Sequence, residues 1–441
     1  MAEGEPGALD ATEQALVDRI AQRRDEIVAL ACELIAYDTT SRAEADEPAR
    51  EEVALQQALA SRLERAGAEI DLWEPTAEDV ADHPLSVPGI AFAGRPQLAA
   101  TLRGSGGGAS LLLNGHIDVV PARREEGWTA DPFDPQVVDG QIVGRGACDM
   151  KGGIAAMVVA AAALAELGQL RGDVIVCTNT DEESSGVGGL ACARHGVRAD
   201  YAIVTEPSSL HVWPACRGTV YCTIGIEGRS GHAEQEHPHW RDGGAVNAIE
   251  KGRFLLDGVD RLRAEWRSRA DFKHPLLDPP DIVPTRFVGD AGWSVTIPGR
   301  AEIDLSVLIL PVQADARGWT SEAQAEVEGF LQRWCATDSW LAEHPPTFRW
   351  YTEVNPSETP VEAASVQALL AANTALGLPT ALGGLGSWYD GATYALEGGT
   401  PALMYGPRSI DWAHTVDEHV PIEDLVQCAQ GLAIAGWRLC R

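Results

Sequence analysis

The chain has 441 residues, with 34 Lys and Arg against 65 Asp and Glu, which gives a formal net charge of −31. Hydrophobic residues make up 45% and charged residues 22%, a composition typical of globular and not of disordered chains. Because a single core rarely grows beyond about 300 residues, we predict two domains. The acidic balance argues against nucleic acid and anionic membrane surfaces as main partners, but is compatible with a metal held by carboxylates.

Targeting features and cysteine usage predict a cytoplasmic protein. No stretch reaches the ~18 apolar residues that a membrane-spanning helix needs. The first twenty residues are acidic and lack the apolar segment of a secretory signal. The nine cysteines are scattered without a CxxC pair, which predicts reduced thiols.

The first half of the chain alternates helices with short apolar strands. Apolar residues at helical spacing predict helices over 10–37 and about 46–66, and small apolar residues predict a buried helix over 152–167. Apolar runs at 173–180 and 201–206 predict buried strands. This alternation predicts an α/β domain with a largely parallel sheet and helices on both faces.

The pattern changes near residue 217, where alternating strands and long helices predict a compact α+β unit. From about residue 355 the first pattern returns, with helices over 361–376 and 421–438. We therefore predict a discontinuous domain of residues 1–217 and 355–441, with residues 218–354 inserted as a second domain.

A histidine and an aspartate lie at the end of a buried strand in NGHIDVVP. Because side chains alternate along a strand, His116 and Asp118 point to the same side. Such a pair can supply a metal ligand and the group that orients it. The alternative is a structural histidine that is hydrogen-bonded within the sheet.

Further carboxylates follow other predicted strands. Asp149 lies in GRGACDMKGG directly before a helix, where it is either a ligand or the helix N-cap. Glu182 and Glu183 belong to an acidic run, TDEESSG, that is costly beside a sheet end unless cations compensate it. One of them can bind a metal while the other acts as a general base, and the alternative is a solvated acidic loop. Glu206 ends a third strand.

His414, near the end of the chain, is a further candidate ligand. With it, five candidate ligands are expected at one edge of the sheet. This mixed set of nitrogen and oxygen ligands suits zinc, with cobalt or manganese as possible replacements. Five ligands exceed what one tetrahedral catalytic zinc needs, and they match two divalent metal ions that share a bridging carboxylate. The set comprises His116, Asp149, Glu183, Glu206 and His414.

Six motifs in chain order resemble those of the M20 metallopeptidases and deacylases: LLLNGHIDVVP, DGQIVGRGACDMKGG, TDEESSG, TEPS, GRSGHA and GPRSIDWAHTVDEHV. The resemblance is greatest with the branch that contains acetylornithine deacetylase and succinyl-diaminopimelate desuccinylase, with carboxypeptidase G as a relative. It implies a metal-dependent amidohydrolase that cleaves the amide bond of a small N-acylated amine or amino acid. Water would be activated by two metals and a glutamate general base.

The resemblance also implies a role for each matching residue. Asp149 would bridge the two metals, and the peptide bond that follows it would be cis. One metal would be held by His116 and Glu206, and the other by Glu183 and His414.

Glu182 would be the general base, and Asp118 would orient His116. The inserted domain would be a ferredoxin-like lid through which two copies form a homodimer. From this lid His232 would donate to the developing oxyanion in the neighbouring subunit. The alternative for His232 is a surface residue that caps a turn.

One departure from the family concerns the grip on the substrate. Many members carry an arginine shortly before a proline of the lid, and in this chain the corresponding run, DLSVLILP, has Leu308 at about that place. Arg286 is one candidate to replace it. Trp388 and Tyr389, in a glycine-rich loop, either line the substrate pocket or are packing residues.

Three other functions compete with the deacylase for this sequence. The missing lid arginine keeps open a deformylase or a hydrolytic deaminase acting on a heterocyclic or aromatic amine. A metal-poor binding module is disfavoured because the ligand and base positions are intact. The glycine-rich runs do not form the GxGxxG of a dinucleotide-binding enzyme.

Overall fold

The computed structural model describes residues 8–441. The prediction that the first twenty residues lack a secretory signal therefore falls partly, at residues 1–7, outside the described residues. Two compact units are present. The first comprises Met1–Ala215, Glu358–Gly384 and Tyr389–Arg441, and the second comprises Cys216–Ser357 and Leu385–Trp388. None of the described helices is both long and apolar enough to cross a membrane.

Within residues 8–441 the chain forms ten α-helices, which are numbered in chain order. The prediction of one helix over 10–37 is wrong, because the backbone leaves helical geometry at Arg23, with φ −97° and ψ 13°. The helix predicted from about residue 46 begins only at Glu52. The helices are α1 (Ala11–Gln22), α2 (Arg24–Ile35), α3 (Glu52–Arg65), α4 (Lys151–Ala165), α5 (Val187–His195), α6 (Ala248–Ser268), α7 (Ser321–Cys335), α8 (Ala364–Leu376), α9 (Asp390–Leu396) and α10 (Ile422–Cys440).

The same residues form eighteen strands. They are β1 (Glu69–Trp73), β2 (Gln97–Leu102), β3 (Leu111–His116), β4 (Gln136–Val138), β5 (Gln141–Val143), β6 (Val174–Asn179), β7 (Tyr201–Val204), β8 (Val212–Cys216), β9 (Gly218–Glu227), β10 (Gly231–His232), β11 (Asp281–Val288), β12 (Thr296–Ile297), β13 (Arg300–Ile309), β14 (Thr347–Val354), β15 (Ser357–Glu358), β16 (Leu382–Leu385), β17 (Ala402–Met404) and β18 (His419–Pro421).

The first unit is built on a nine-stranded mixed sheet with the order β1-β2-β6-β3-β7-β17-β8-β15, where β16 also pairs with β8. Its four central strands, β6, β3, β7 and β17, are mutually parallel. The pairs β1–β2, β2–β6 and β17–β8 are antiparallel. The parallel sheet predicted from strand–helix alternation is thus found at the centre of the unit.

Helices cover both faces of this sheet. Leu111 and Leu113 of β3 belong to one buried cluster, to which α1, α2, α4 and α10 contribute. Leu112, between them, belongs to a second cluster that includes Cys192 of α5 and Tyr394 of α9. The alternation of side chains along one central strand therefore supplies two cores.

Glycines let helix α4 approach the carboxyl end of the sheet closely. A Cβ atom on Gly115 of β3 would lie 2.8 Å from Ile154 Cγ1 of α4. A Cβ atom on Gly153 would collide with the carbonyl oxygen of Thr205, just beyond β7. Side chains at these positions would push α4, and the loop before it, away from the strand ends.

The second unit contains a four-stranded antiparallel sheet with the order β11-β13-β9-β14, together with α6 and α7. Every second residue of β13, from Ala301 to Ile309, is buried. Strand β11 was not predicted, because Pro284 interrupts its pattern. The structure accommodates this proline at a sheet edge, with a register irregularity between Pro284 and Arg286.

Candidate metal centre

The parallel strands bring the predicted ligands to one edge of the sheet. His116 is the last residue of β3, Glu183 follows β6, and Glu206 follows β7. Carboxyl ends of parallel strands are the usual place for ligand sites in open α/β sheets. Asp149 lies in the loop before α4, and its peptide bond to Met150 is cis, as the resemblance implied.

Asp149 lies between two imidazole rings. Its Oδ1 atom is 3.1 Å from Nε2 of His116, and its Oδ2 atom is 3.3 Å from Nε2 of His414. His116 Nε2 is also 3.4 Å from Glu206 Oε1, and His414 Nε2 is 3.0 Å from Glu183 Oε1. The two oxygens of the Asp149 carboxylate thus face two separate groups of side chains. Oδ1 faces His116 with Glu206, and Oδ2 faces His414 with Glu183.

The hydrogen bond at the other nitrogen of His116 argues for a cation in this cluster. Nδ1 lies 2.9 Å from the main-chain oxygen of Asp118, an acceptor, so the ring proton belongs on Nδ1. Nε2 of the neutral ring then presents a lone pair to the oxygens of Asp149 and Glu206, which are also acceptors. Three electron-rich atoms facing one another in a buried site need a positive charge between them.

The separations also fit divalent metal ions. Ligands at about 2.0–2.1 Å from a tetrahedral ion lie roughly 3.3 Å from one another, and the four separations above range around that value. One candidate ligand atom from each of His116, Asp149 and Glu183 lies within 4.8 Å of the other two. The residues present therefore fit metal binding, and no other such group occurs among the described residues.

Charges perturb the titration of these side chains when no cation is present. Burial and the nearby Asp149 carboxylate raise the pKa of Glu206 to about 8. Hydrogen bonds with Asp149 and Glu183 raise the pKa of His414 to about 10. Although burial opposes its charge, the carboxylates of Glu206 and Asp149 raise the pKa of His116 well above its usual value. Without metal ions, Glu206, His414 and His116 therefore hold protons that offset the negative charge of the cluster.

Glu182 and Asp118 lie beside the ligands. The Glu182 side chain is 11% exposed, and its Oε2 atom is 4.0 Å from His116 Nε2. The Asp118 carboxylate accepts hydrogen bonds from the main-chain N–H groups of Glu182 and Glu183, at 3.2 and 3.1 Å. Its Oδ1 atom is 3.7 Å from His116 Nδ1. Asp118 therefore contacts His116 chiefly through its main-chain oxygen. Its carboxylate holds the main chain of the loop with Glu182 and Glu183, here called the glutamate loop.

Sequence reasoning missed Glu418, which supports the loop of Asp149. Its side chain is fully buried, and Oε1 accepts hydrogen bonds from the main-chain N–H groups of Cys148 and Asp149, at 2.8 and 3.0 Å. The guanidinium of Arg145 pairs with Oε2. Glu418 lies within GPRSIDWAHTVDEHV, but nothing in that motif distinguishes it from the exposed acids of the chain.

Other predicted site residues belong to the second unit. His232 is exposed and pairs with Thr296 between β10 and β12. Arg286 is exposed on β11 and lies 3.2 Å from Asp304. Leu308 is half-buried in β13.

The two bulky residues of the glycine-rich loop differ from each other. Trp388 is half-buried, and its indole Nε1 has no hydrogen-bond partner among the described residues. Tyr389 is 1% exposed, and its ring lies so close to Gly391 that a Cβ atom there would collide with it. The burial of Tyr389 favours the packing alternative.

Comparison with known proteins agrees with this geometry. The site holds two imidazoles and several carboxylates at the carboxyl ends of parallel strands, a set of donors suited to divalent metal ions. The model of peptidase family M20/M25/M40 matches residues 112–435, most of the chain. The chain therefore belongs to this family, and it is a metal-dependent enzyme that hydrolyses amide bonds.

Relatives with different activities align over nearly the whole chain. N-formyl-4-amino-5-aminomethyl-2-methylpyrimidine deformylase of Bacillus subtilis (strain 168) is 27% identical, over 94% of each chain. Succinyl-diaminopimelate desuccinylase of Stenotrophomonas maltophilia (strain K279a) is 27% identical, over 90% of this chain and 95% of its own.

A solved structure has the same fold. It is a dinuclear metal-binding peptidase of the M20 family from Bacillus subtilis, which superposes with a TM-score of 0.64. The alignment covers 95% of this chain and 99% of that one, at 17% identity.

Proposed function

We propose that the chain hydrolyses the amide bond of a small N-acylated amine or amino acid, with two divalent metal ions, zinc in the first place, as cofactors. One observation carries the proposal: two histidine Nε2 atoms face different oxygens of Asp149, at 3.1 and 3.3 Å. A carboxylate placed in this way suits a bridge between two ions.

The ligands divide into two groups around Asp149. His116 and Glu206 would hold one ion, and Glu183 and His414 the other. When bound, the ions would polarise the scissile carbonyl and lower the pKa of a water molecule.

Glu182 is proposed as the general base. Its carboxylate would take a proton from the attacking water and transfer it to the nitrogen of the leaving amine. Two features support this role: Glu182 lies beside the ligand His116 at 4.0 Å, and its main chain is anchored by Asp118. The carboxylate of Asp118 thereby positions the base.

His232 is proposed to donate a hydrogen bond to the oxyanion that develops in the active site of the neighbouring subunit. Its Nδ1 atom accepts a hydrogen bond from the main-chain N–H of Glu234 at 3.2 Å. The neutral ring therefore carries its proton on Nε2, which makes this atom a donor. We propose that the second unit is a lid through which two copies associate; the homodimer and the cytoplasmic location stay predictions.

A second candidate function is hydrolysis of an N-formyl group, which would release a heterocyclic or aromatic amine. The Bacillus subtilis relative with this type of activity aligns over 94% of the chain. Leu308 also stands where the resemblance places a carboxylate-binding arginine, so a substrate without that carboxylate suits this chain. Arg286 is paired with Asp304, which does not favour it as the replacement.

The experiment is amine release from a substrate panel by protein loaded with zinc, cobalt or manganese. The panel contains N-acetyl, N-formyl and N-succinyl amino acids, dipeptides, and N-formyl aminomethylpyrimidines. Turnover of N-acyl amino acids supports the first candidate, and turnover of formylated heterocycles alone supports the second. If protein with two bound ions releases no amine from any member, the proposed substrate class is wrong. Metal-free protein is the control.

A further inference from the structure

A buried arginine contacts the loop that carries Glu182 and Glu183. The Arg42 side chain is 3% exposed, and its guanidinium donates from Nε to Asp181 Oδ1 at 2.8 Å and from Nη2 to Oδ2 at 2.7 Å. Nη1 donates to the carbonyl oxygen of Ala45 at 2.6 Å. Such a paired contact fixes the plane of a carboxylate, which the single ammonium of a lysine does not do.

Asp181 needs this support because its backbone is in the left-handed region, with φ 63°. Its carbonyl oxygen accepts hydrogen bonds from the main-chain N–H groups of Ser185 and Gly186, at 3.2 and 2.7 Å. These bonds close a turn around Glu182 and Glu183. A residue other than glycine keeps this conformation only where the surrounding contacts determine it.

The segment of Arg42 is also attached to the strand end that carries His116. The N–H of Val119 donates to the carbonyl oxygen of Thr39 at 3.1 Å, and the N–H of Ser41 donates to that of Val119 at 2.8 Å. The Ser41 hydroxyl donates to the Asp118 carboxylate, which itself accepts from the glutamate loop. The segment therefore connects both halves of the site.

The neighbouring Arg95 does not duplicate the contact. Its Nε atom lies 3.8 Å from Asp181 Oδ1 but 3.3 Å from Glu52 Oε1, and its Nη atoms donate to main-chain oxygens. Without Arg42, the buried Asp181 carboxylate would lose its paired donor and keep the weaker hydroxyl donors of Thr180 and Ser184, at 3.1 and 3.4 Å. Its charge, which adds to burial in raising the pKa of Asp118, would lose its main compensation. The loop would have to move to let water reach Asp181.

We propose that Arg42 is a positioning residue for the hydrolytic reaction. By fixing Asp181, it sets where Glu182 and Glu183 stand relative to the ligands of the neighbouring strands. Arg42 is neither one of the proposed metal ligands nor the proposed base, and its side chain is 3% exposed. The inference rests on the roles proposed above for Glu182 and Glu183.

The test uses Arg42→Lys, which keeps the charge and removes the paired contact. The matched control is Arg438→Lys, because Arg438 makes the same kind of contact elsewhere in the first unit. Its Nε atom donates to Glu13 Oε1 at 2.6 Å and its Nη2 atom to Oε2 at 3.2 Å, which joins α10 to α1. Asp181→Asn is the second variant, in case Arg42→Lys does not fold.

At saturating metal, Arg42→Lys and Asp181→Asn should each lower kcat about 10- to 100-fold, the usual effect of losing a group that supports a metal site. KM should change less, since both side chains are at most 3% exposed. The double variant should be no worse than the worse single variant, because both substitutions remove one contact. Arg438→Lys should keep kcat within about twofold. Hydrogen exchange should quicken in the peptide over residues 180–186 only in the Arg42 and Asp181 variants.

Unchanged kcat or unchanged exchange in residues 180–186 of the Arg42 and Asp181 variants would overturn the inference. The inference would also be overturned if the Arg42 and Arg438 variants lost kcat to the same extent and in proportion to their loss of thermal stability. If the wild type hydrolyses no amide, the proposed function fails, and the exchange measurement alone then decides. Faster exchange supports the role of Arg42 in holding the loop, and unaltered exchange refutes it.

Discussion

Replacing Arg145 by methionine tests whether the buried carboxylate of Glu418 supports the loop of Asp149. The Glu418 side chain has no exposure to solvent, and among residues 8–441 its ion-pair partner is the guanidinium of Arg145. After the substitution, the carboxylate keeps only the main-chain N–H groups of Cys148 and Asp149, at 2.8 and 3.0 Å. Burial already raises the pKa of Glu418 to about 7. Without Arg145 the carboxylate would either stay as an uncompensated buried charge or take up a proton, and both cost free energy.

The expected loss of stability follows from this geometry. Removing one partner of a buried ion pair costs about 3–5 kcal/mol. Because two N–H groups still donate to Glu418, we expect the lower end, about 3 kcal/mol. The double variant Arg145→Met/Glu418→Gln should lose about 1 kcal/mol less than Arg145→Met, since it removes the unpaired charge.

Urea unfolding followed by circular dichroism measures these free energies. Arg103→Met is the control, because Arg103 makes a surface pair with Glu69 in which both side chains are more than half exposed. Its effect should be smaller than that of Arg145→Met. A loss below about 1 kcal/mol for Arg145→Met, or a double variant less stable than the single one, would refute the reasoning.

Three further predictions concern the metal centre. A chelator should lower the Tm in calorimetry, because ions that bind only the folded chain stabilise it, by about 2.7 kcal/mol at 100 times Kd; an unchanged Tm would count against bound ions. Metal binding at about pH 7 should release protons and weaken as the pH falls, since without metal the pKa of Glu206 is raised to about 8 and that of His414 to about 10; titration without proton release would contradict this. Asp149→Ala should lose both ions in elemental analysis and His414→Ala only one, and equal losses would argue against the bridge.

The positions of the site residues followed from simple rules of strands. Apolar runs that end at His116 and before Glu182 and Glu206 predicted one sheet edge, because parallel strands place their carboxyl ends together. The structure brings these side chains, with Asp149 and His414, into contact. Local pattern sufficed for His116, Glu183 and Glu206, because each lies at or after the end of a strand with a strong apolar pattern. Asp149 and His414 lie in loops, and their roles came from the resemblance to the family.

The groups that support the ligands could not be predicted in the same way. Arg42 and Asp181 are far apart in sequence, and each lies in a polar loop without periodicity. In a chain with 65 acidic residues, nothing marks Glu418 as buried. Strand β11 was missed because Pro284 removes a ladder donor, which only an edge position tolerates. Such features depend on tertiary contacts that short-range patterns do not encode.

The most direct test of the metal-and-base mechanism is to measure bound metal and amide hydrolysis together for wild type and Glu182→Gln. We predict two ions per chain in both proteins, because Glu182 is not among the proposed ligands. Hydrolysis by the variant should fall by about 10²–10⁴-fold at saturating metal, the usual contribution of a positioned general base. Retained activity, or a loss of metal in parallel with activity, would contradict the account.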